Sequence, residues 1–199
     1  MTEVRVHGRG GQGVVSFATL LSVAAFLDGR ESQMLPSFGP ERTGAPIEAY
    51  VRVDDRPIRT REPVSRPDDL VVLDPTLLGH VDVLAGLAPG GRVLVATGRA
   101  VADLPVLSGI VGPTEVRTVD PAGAVDPETG RRLVNTYLLG AFAALTGLVS
   151  PEAVEAAIAA RFPDSRGANT AAARAGYAAI AATAAPRPPE HAGAVGSGA

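Results

Sequence analysis

A glycine-rich turn near the amino terminus constrains this fold more than any other feature. Glu3–His7 alternates polar and apolar residues as a short strand does, and Gly8–Gly13 (G-R-G-G-Q-G) interrupts it. Val14–Leu27 is then an apolar run that indicates a buried helix, with Asp28–Gly29 as its stop signal. The pattern predicts a strand, a glycine turn and a helix in that order.

Short apolar runs and helical segments alternate along the rest of the chain, which predicts an α/β fold with a largely parallel sheet. Ile47–Val53 alternates in polarity, and Pro57–Arg61 is expected to return beside it as an antiparallel hairpin. The other predicted strands and helices are Leu70–Leu73, Arg92–Ala96, Glu115–Val119, Thr136–Leu148, a helix from Ser150 to about Phe162, and Asn169–Ala182.

Length and composition are those of a single globular domain. The chain has 199 residues, 46% of them hydrophobic and 20% charged, which is enough for one core. We expect the domain to span residues 1–184, followed by a disordered tail at 185–199, where Pro, Gly, Ala and Ser dominate.

The net charge of −3 does not favour binding to nucleic acid. No signal peptide is visible, and the longest apolar runs are shorter than the roughly 20 residues that span a membrane. We therefore expect a cytoplasmic protein without a membrane partner.

Cysteine is absent, and the three histidines, His7, His80 and His191, are far apart in the sequence. The chain therefore has no disulfide, no cysteine nucleophile, and no thiolate ligand for zinc or an iron–sulfur cluster. We expect no metal site in it.

The Gly8–Gly13 turn fits the pattern G-x-G-x-x-G and is a candidate anion site. Its glycines permit positive φ angles and close backbone approach, the next helix directs N–H groups at it, and Arg9 and Gln12 add side-chain donors. A dinucleotide site would also need a strand ending in an acidic residue about 20 residues later; Asp28 comes too early, and the segment from Glu31 is not a convincing strand. An anionic or nucleotide-type ligand, a shared interface and a turn that binds nothing all stay open.

The segment Gln33–Pro46 (Q-M-L-P-S-F-G-P-E-R-T-G-A-P) has three Pro and two Gly in fourteen residues, so we expect no regular structure there. It contains Glu41 and Arg42, and the planar guanidinium of Arg42 suits a phosphate or a carboxylate. Loops of this length in compact domains are often functional, although an ordered surface loop with a solvated ion pair would explain the same residues.

Four other polar residues lie at predicted element ends. Asn135 or Thr136 is expected to cap the following helix, with ligand contact as the alternative. Asp74 follows a buried strand, where open α/β sheets place ligands, and would equally cap the next segment. His7 ends the first strand and is expected to be a packed residue rather than a catalyst.

In these motifs the sequence resembles the gamma subunits of 2-oxoacid:ferredoxin oxidoreductases, a family that includes the pyruvate, 2-oxoisovalerate and 2-oxoglutarate enzymes. The glycine turn is similar to the opening of those subunits, and Phe38–Arg42 followed by Gly44–Pro46 is similar to their second signature. Thr43 departs from it, because the family usually has a second Arg there. The resemblance covers about residues 1–180, with further matches at Val51–Val53, Pro57–Ile58, Pro67–Asp68, Leu73–Leu77, Asn135–Thr136 and Leu139–Ala141.

The resemblance implies a three-layer α/β/α domain inside a larger assembly. The family decarboxylates a 2-oxoacid on thiamine diphosphate, transfers the acyl group to coenzyme A, and passes electrons through iron–sulfur clusters to ferredoxin or another acceptor. Thiamine diphosphate, Mg²⁺ and [4Fe-4S] clusters would then belong to partner alpha and beta subunits, with a ferredoxin-like delta subunit as a further candidate. The gamma chain is associated with coenzyme A, and the matching positions here are Gly8, Arg9, Gly10, Gly11, Gln12, Gly13, Glu41, Arg42 and Asn135.

We therefore expect a subunit that is not active alone and contributes no catalytic residue. Its glycine turn and Arg42 would help bind the phosphates of coenzyme A or order a subunit interface. Two alternatives are an independent NAD(P)-dependent Rossmann enzyme and a non-catalytic scaffold whose motifs only pack against partners.

Overall fold

The structure is a computed structural model that describes residues 1–36, 44–108, 110, 112–163 and 166–183. Within these residues the chain forms one six-stranded sheet with helical segments on both faces. The strands are β1 (Thr2–Arg9), β2 (Glu31–Pro36), β3 (Pro46–Asp54), β4 (Asp69–Val72), β5 (Arg92–Ala96) and β6 (Glu115–Val119), and the helices are α1 (Val14–Leu27), α2 (Pro105–Ser108), α3 (Val134–Thr146), α4 (Pro151–Arg161) and α5 (Arg166–Ala181). Short 3₁₀ turns lie at Pro75–Gly79 and Val101–Asp103.

The strand order is β2-β3-β1-β4-β5-β6. Strands β1, β4, β5 and β6 run parallel to one another, whereas β3 is antiparallel to both β1 and β2. The predicted α/β class, with a mostly parallel sheet and an antiparallel hairpin, is confirmed. The predicted tail at 185–199 lies outside the described residues.

The hairpin, however, is not made by the predicted pair of strands. β3 includes the predicted strand Ile47–Val53, but its hairpin partner is the edge strand β2, which pairs from Glu31 opposite Asp54 to Pro36 opposite Ala49. The prediction that Pro57–Arg61 returns as a strand is wrong, because that segment is not paired in the sheet. Proline at an edge strand removes no ladder hydrogen bond from the sheet interior, so Pro36 ends β2 without excluding it.

Four helices, α1, α3, α4 and α5, lie on one face of the sheet and form the larger core with it, α4 packing mainly on the other helices. Alternate residues of the strands point into this core, among them Val4 and Val6 of β1. Phe17 of α1 and Phe142 of α3 meet edge to face, with ring centroids 6.0 Å apart, a geometry that the aromatic quadrupoles favour. Ser150 caps α4 by accepting from the Ala153 N–H at 3.1 Å, as predicted.

The other face of the sheet is covered by shorter segments. Under β4 and β5 the second core combines strand residues with buried leucines from the 3₁₀ turn at Pro75–Gly79, from α2 and from the residue before α2. Under β1 and β3 the face is polar, and the guanidinium of Arg5 donates to the carbonyls of Val83 at 3.1 Å and Ala85 at 2.5 Å. Arg52 pairs with Glu3 at 2.7 Å, so these buried charges are satisfied. Among the described helices none is long and apolar enough to cross a membrane.

Candidate functional site

The carboxyl ends of β1, β4, β5 and β6 share one edge of the sheet because these strands are parallel, and a cleft of about 620 Å³ lies along that edge. The glycine turn follows β1, Asp74 follows β4, Thr97 follows β5 and Asp120 follows β6. Open α/β sheets place ligands in this position. The cleft is therefore the candidate site, and of the residues that the sequence singled out, Gly11, Gln12 and Asp74 line it.

The glycine turn uses glycine for two physical reasons. Gly11 and Gly13 have φ angles of 91° and 84°, which L-residues with side chains rarely adopt. At Gly8, a Cβ would lie 2.5 Å from Cγ2 of Val14 and 3.3 Å from Cβ of Leu73. The turn thus brings the start of α1 directly onto the end of β1, with Gly13 as the N-cap residue.

The side chains of Arg9 and Gln12 both bond to Asp74, and Gln12 also lines the cleft. Arg9 Nε lies 3.1 Å and Gln12 Nε2 lies 2.7 Å from the same carboxylate oxygen of Asp74. Arg9 also donates to Thr76 Oγ1 at 3.0 Å, and its backbone N–H donates to Gln12 Oε1 at 2.7 Å. These bonds fix the shape of the turn and join it to the end of β4.

Asp74 remains ionised within this network. Burial by itself would raise the pKa of Asp74, but hydrogen bonds from Thr76 and Gln12 and the charge of Arg9 outweigh burial and lower it. Asp74 also accepts from the Thr76 N–H at 3.0 Å and so caps the following 3₁₀ turn, which is one of the two roles that the sequence left open for it.

The carboxyl end of the proline- and glycine-rich loop is attached to the glycine turn. The Gly10 N–H donates to the Ala45 carbonyl at 2.9 Å, and the Gly44 N–H donates to the Gly10 carbonyl at 3.2 Å. Glu41 and Arg42, which the sequence marks as candidate ligand residues, lie outside the described residues.

Asn135 reaches the glycine turn from a distant part of the chain. The N-cap residue of α3 is Leu133, which makes no side-chain cap bond, so the prediction that Asn135 or Thr136 caps this helix is wrong. Asn135 instead lies in the first turn of α3, where a Cβ on Gly13 would be 2.9 Å from its Cγ. Thr136 is buried, with Oγ1 3.2 Å from the Leu133 carbonyl. The first turns of α1 and α3 therefore meet at the cleft.

Arg131 and Arg132 line the cleft and were not identified from the sequence. Both are exposed, and neither forms an ion pair with any residue that the structure describes. They lie in a short hairpin joined by an isolated bridge between Val125 and Arg132. No local sequence pattern indicates these two arginines. Two other cleft residues, Thr97 and Asp120, could have been predicted, because the rule that ligands bind at strand ends, applied above to Asp74, holds for them as well.

The sheet order does not match what a dinucleotide site requires. The strand that follows α1 is β2, which is separated from β1 by the antiparallel β3 and ends at Pro36. An acidic residue at the end of a parallel neighbour of β1 would normally bind the ribose. Here the neighbouring parallel strand is β4, and the carboxylate of Asp74 beyond it is already bonded to Arg9 and Gln12.

Comparison with known proteins gives one consistent result. A profile of the family described as pyruvate ferredoxin/flavodoxin oxidoreductase matches residues 3–179. The common gamma subunit of the pyruvate/ketoisovalerate oxidoreductases of Thermococcus litoralis is 46% identical over 159 residues, which cover 79% of this chain and 85% of that protein. The pyruvate synthase subunit PorC of Methanothermobacter marburgensis is 44% identical over 178 residues, 89% of this chain and 96% of the relative. The crystal structure of pyruvate oxidoreductase subunit PORC from Thermotoga maritima superposes with a TM-score of 0.76 at 35% identity, covering 88% of this chain and 94% of that one.

Proposed function

The chain belongs to the pyruvate ferredoxin/flavodoxin oxidoreductase family, and on that premise we propose that it is the gamma subunit of a 2-oxoacid:acceptor oxidoreductase complex. The complex would convert a 2-oxoacid and coenzyme A to acyl-coenzyme A and CO₂ and deliver the electrons to ferredoxin or a similar acceptor. The similarity to gamma subunits covers at least 85% of the length of the two relatives described above. It therefore concerns the whole subunit rather than a shared fragment.

The proposal divides the chemistry between this chain and its partners. Alpha and beta subunits, and a delta subunit in some assemblies, would hold thiamine diphosphate, Mg²⁺ and the [4Fe-4S] clusters, in the cytoplasm. The metal-ligating residues of this chain support that division, because the sequence has no cysteine to bind an iron–sulfur cluster. The described residues also contain no group of three or more His, Asp or Glu side chains that could hold a metal.

We assign a coenzyme A role to this chain because two helix N-termini and two arginines converge at one cleft. First-turn N–H groups of a helix lack intrahelical acceptors and attract anions. The N-terminal ends of α1 and α3 lie side by side, with the N-cap Gly13 of α1 against Asn135 in the first turn of α3. Arg131 and Arg132 add two exposed guanidinium groups to the same cleft. This arrangement suits the phosphates of coenzyme A.

In this proposal Arg9, Gln12 and Asp74 position the glycine turn instead of binding the ligand. Their hydrogen-bonding atoms are largely used within the network. The phosphate contacts come from backbone N–H groups of the turn and α1 and from Arg131 and Arg132. Arg42 stays a proposed further contact, as the sequence resemblance implies.

The experiment is steady-state kinetics of the intact complex, purified anaerobically through a tag on this chain. Replacing Arg131 and Arg132 together by Ala is expected to raise the KM for coenzyme A about tenfold. This factor corresponds to the lower end of the binding free energy that charge-assisted hydrogen bonds contribute. The KM for the 2-oxoacid should be unchanged. Arg56→Ala is the matched control, since Arg56 is exposed in the turn after β3, away from the cleft.

Two results would contradict the proposal at different levels. An unchanged KM for coenzyme A in the double variant would show that coenzyme A does not bind in this cleft. A tagged wild-type chain that purifies without thiamine- and iron-containing partners would overturn the subunit assignment itself.

A further inference from the structure

A second cavity, of about 700 Å³, lies between α5 and the hairpin of residues 124–132; it is called the α5 cavity below. Its floor is apolar, because Ala168, Ala171, Ala172 and Ala175 recur along one face of α5 at helical spacing. Its lining carries the exposed acidic residues Asp120 and Glu128 at the rim and the buried Asp126 between them. The α5 cavity therefore combines a floor of small apolar side chains with an acidic rim.

The charge of the rim distinguishes this cavity from the cleft at the glycine turn. None of the described residues that line it is Arg or Lys. Backbone N–H groups of Glu128 and Thr129 donate to Asp126 at 2.9 and 3.2 Å. These bonds, with a smaller contribution from the charge of Arg131, lower the pKa of Asp126 against the effect of burial. The rim is therefore negative at neutral pH, which excludes a phosphate and favours a cation.

Tyr137 adds a polar group to the lining of the α5 cavity. The residue is 8% exposed and lines the α5 cavity, and its hydroxyl has no hydrogen-bond partner among the described residues. No buried side-chain nitrogen or oxygen lacks a partner among the described residues, so the hydroxyl oxygen keeps some contact with solvent, and the α5 cavity is the open space that Tyr137 lines. Burial raises the pKa of Tyr137, and the charge of Asp120 raises it further, which keeps the hydroxyl protonated and available as a donor.

We propose that the α5 cavity is the docking site for an arginine- or lysine-bearing segment of a partner subunit. The aliphatic stem of the basic side chain would pack on the alanines and its charged end would lie among the carboxylates, while the Tyr137 hydroxyl donates to a backbone carbonyl of the same segment. Cavities of roughly 300–1,000 Å³ hold ligands larger than one side chain, so the volume fits a short segment. The inference rests on the proposed function, which supplies the partner subunits.

Docking at this position would connect the partner to the ligand cleft. Asp120 lines both cavities, and it is held closely, since a Cβ on Gly98 would lie 2.9 Å from its Oδ2. The hairpin of residues 124–132 likewise places Glu128 in one cavity and Arg131 in the other. A segment seated in the α5 cavity would therefore contact the same hairpin that carries the cleft arginines.

The first test measures association of the tagged full-length chain with the partner subunits of its native complex. Ala171→Arg fills the cavity with a guanidinium of the chain itself, and Glu128→Arg reverses a charge on the rim. Each is expected to weaken association at least tenfold. Ala178→Arg is the matched control, because Ala178 is exposed on the same helix but lies outside the cavity, and circular dichroism verifies that all three variants fold.

The second test uses the absence of cysteine from the chain. Ala171→Cys provides a single thiol that can be labelled with a benzophenone maleimide and irradiated within the assembled complex. We expect cross-links from position 171 to a partner subunit and none from the control Ala178→Cys.

The outcomes separate this inference from the proposed function. If the wild-type chain brings down no partner subunit, the proposed function fails. If the wild-type chain assembles, and Ala171→Arg and Glu128→Arg assemble equally well with no cross-link from position 171, the docking site is refuted and the proposed function stands.

Discussion

At the scale of single residues, His7 shows how the polar face of the sheet keeps a titratable group neutral. Its side chain is 3% exposed, with Nδ1 3.4 Å from a carboxylate oxygen of Glu48, and its Nε2 accepts from Arg5 Nε at 3.1 Å. Burial lowers the pKa of His7 to about 4; Glu48 opposes this effect and the charge of Arg5 adds to it. The imidazole is therefore uncharged at neutral pH, and His7 is a packed residue.

Acid should destabilise the fold through His7. In the unfolded chain this imidazole has its ordinary pKa of 6.5, against about 4 in the fold, so between these values only the unfolded state binds the proton. The free energy of unfolding should fall by about 3 kcal/mol as the pH drops through that window. His7→Gln should lose less stability than the wild type between pH 7 and pH 4.5 in urea titrations. Parallel losses in the two proteins would contradict this account.

At the scale of elements, α3 and α5 cross at two glycines that leave no room for a side chain. A Cβ on Gly140 would collide with the carbonyl oxygen of Ala173, and a Cβ on Gly176 would collide with the carbonyl oxygen of Tyr137. Backbone atoms cannot move aside as a side chain can, so the helices would have to separate. This close contact also holds the Tyr137 end of α3 against α5 and thereby shapes the α5 cavity.

Gly140→Ala and Gly176→Ala should each lower the free energy of unfolding by about 3 kcal/mol, at the upper end of what overpacking costs. Gly167→Ala is the control on α5, since nothing lies within 4 Å of a Cβ there. That substitution should be neutral or slightly stabilising, because Ala is the better helix former. Chemical denaturation of the three variants tests this, and a similar change in all of them would show that the crossing is not the cause.

Local sequence pattern predicts the elements that local interactions define. The apolar run of α1 with its stop at Asp28–Gly29, the Ser150 cap of α4 and the strand Arg92–Ala96 all have the predicted form. β2 was missed because an edge strand depends on pairing with β3, and Glu31–Pro36 carries a weak periodicity of its own. The prediction of a strand at Pro57–Arg61 failed for the converse reason. Its sequence suits an extended backbone, but no strand lies beside it to pair with.

At the scale of the whole molecule, the candidate site depends on contacts between distant parts of the chain. The sequence identified the glycine turn and Asp74 because strand ends and glycine spacing are local signals. The glycine pattern also predicts Arg9 and Gln12 as ligand donors, a prediction to which the structure adds their bonds to Asp74 across the turn. The position of Asn135 against Gly13 and of Arg131 in the cleft follows from how α3 approaches α1, which no local pattern specifies.

The two faces of the sheet differ in how their covering layers are built. One face carries four helices over a continuous core. The other is covered near β4 and β5 by short turns, whose buried side chains are few, among them Leu77, Leu78, Leu104 and Leu107. The backbone hydrogen bonds inside the covering segments Pro75–Leu87 and Val101–Ser108 are isolated turn bonds, and Arg5 of β1 adds bonds to the Val83 and Ala85 carbonyls of the first segment. Such segments open locally at a lower free energy than the strands beneath them.

Native-state hydrogen exchange should reveal this difference. The amides of Val81 and Leu107, which donate to Leu77 and Leu104 at 3.0 and 2.9 Å, should exchange at least roughly 100-fold faster than those of Leu94 in β5 and Leu139 in α3. That ratio corresponds to an opening free energy lower by about 2.7 kcal/mol. Denaturant should accelerate exchange at Leu94 and Leu139 more steeply, since their exposure requires the larger core to open. Equal protection and equal denaturant dependence at all four amides would mean that both faces unfold as one unit, and that the thin layer over β4 and β5 is as firmly held as the four-helix layer.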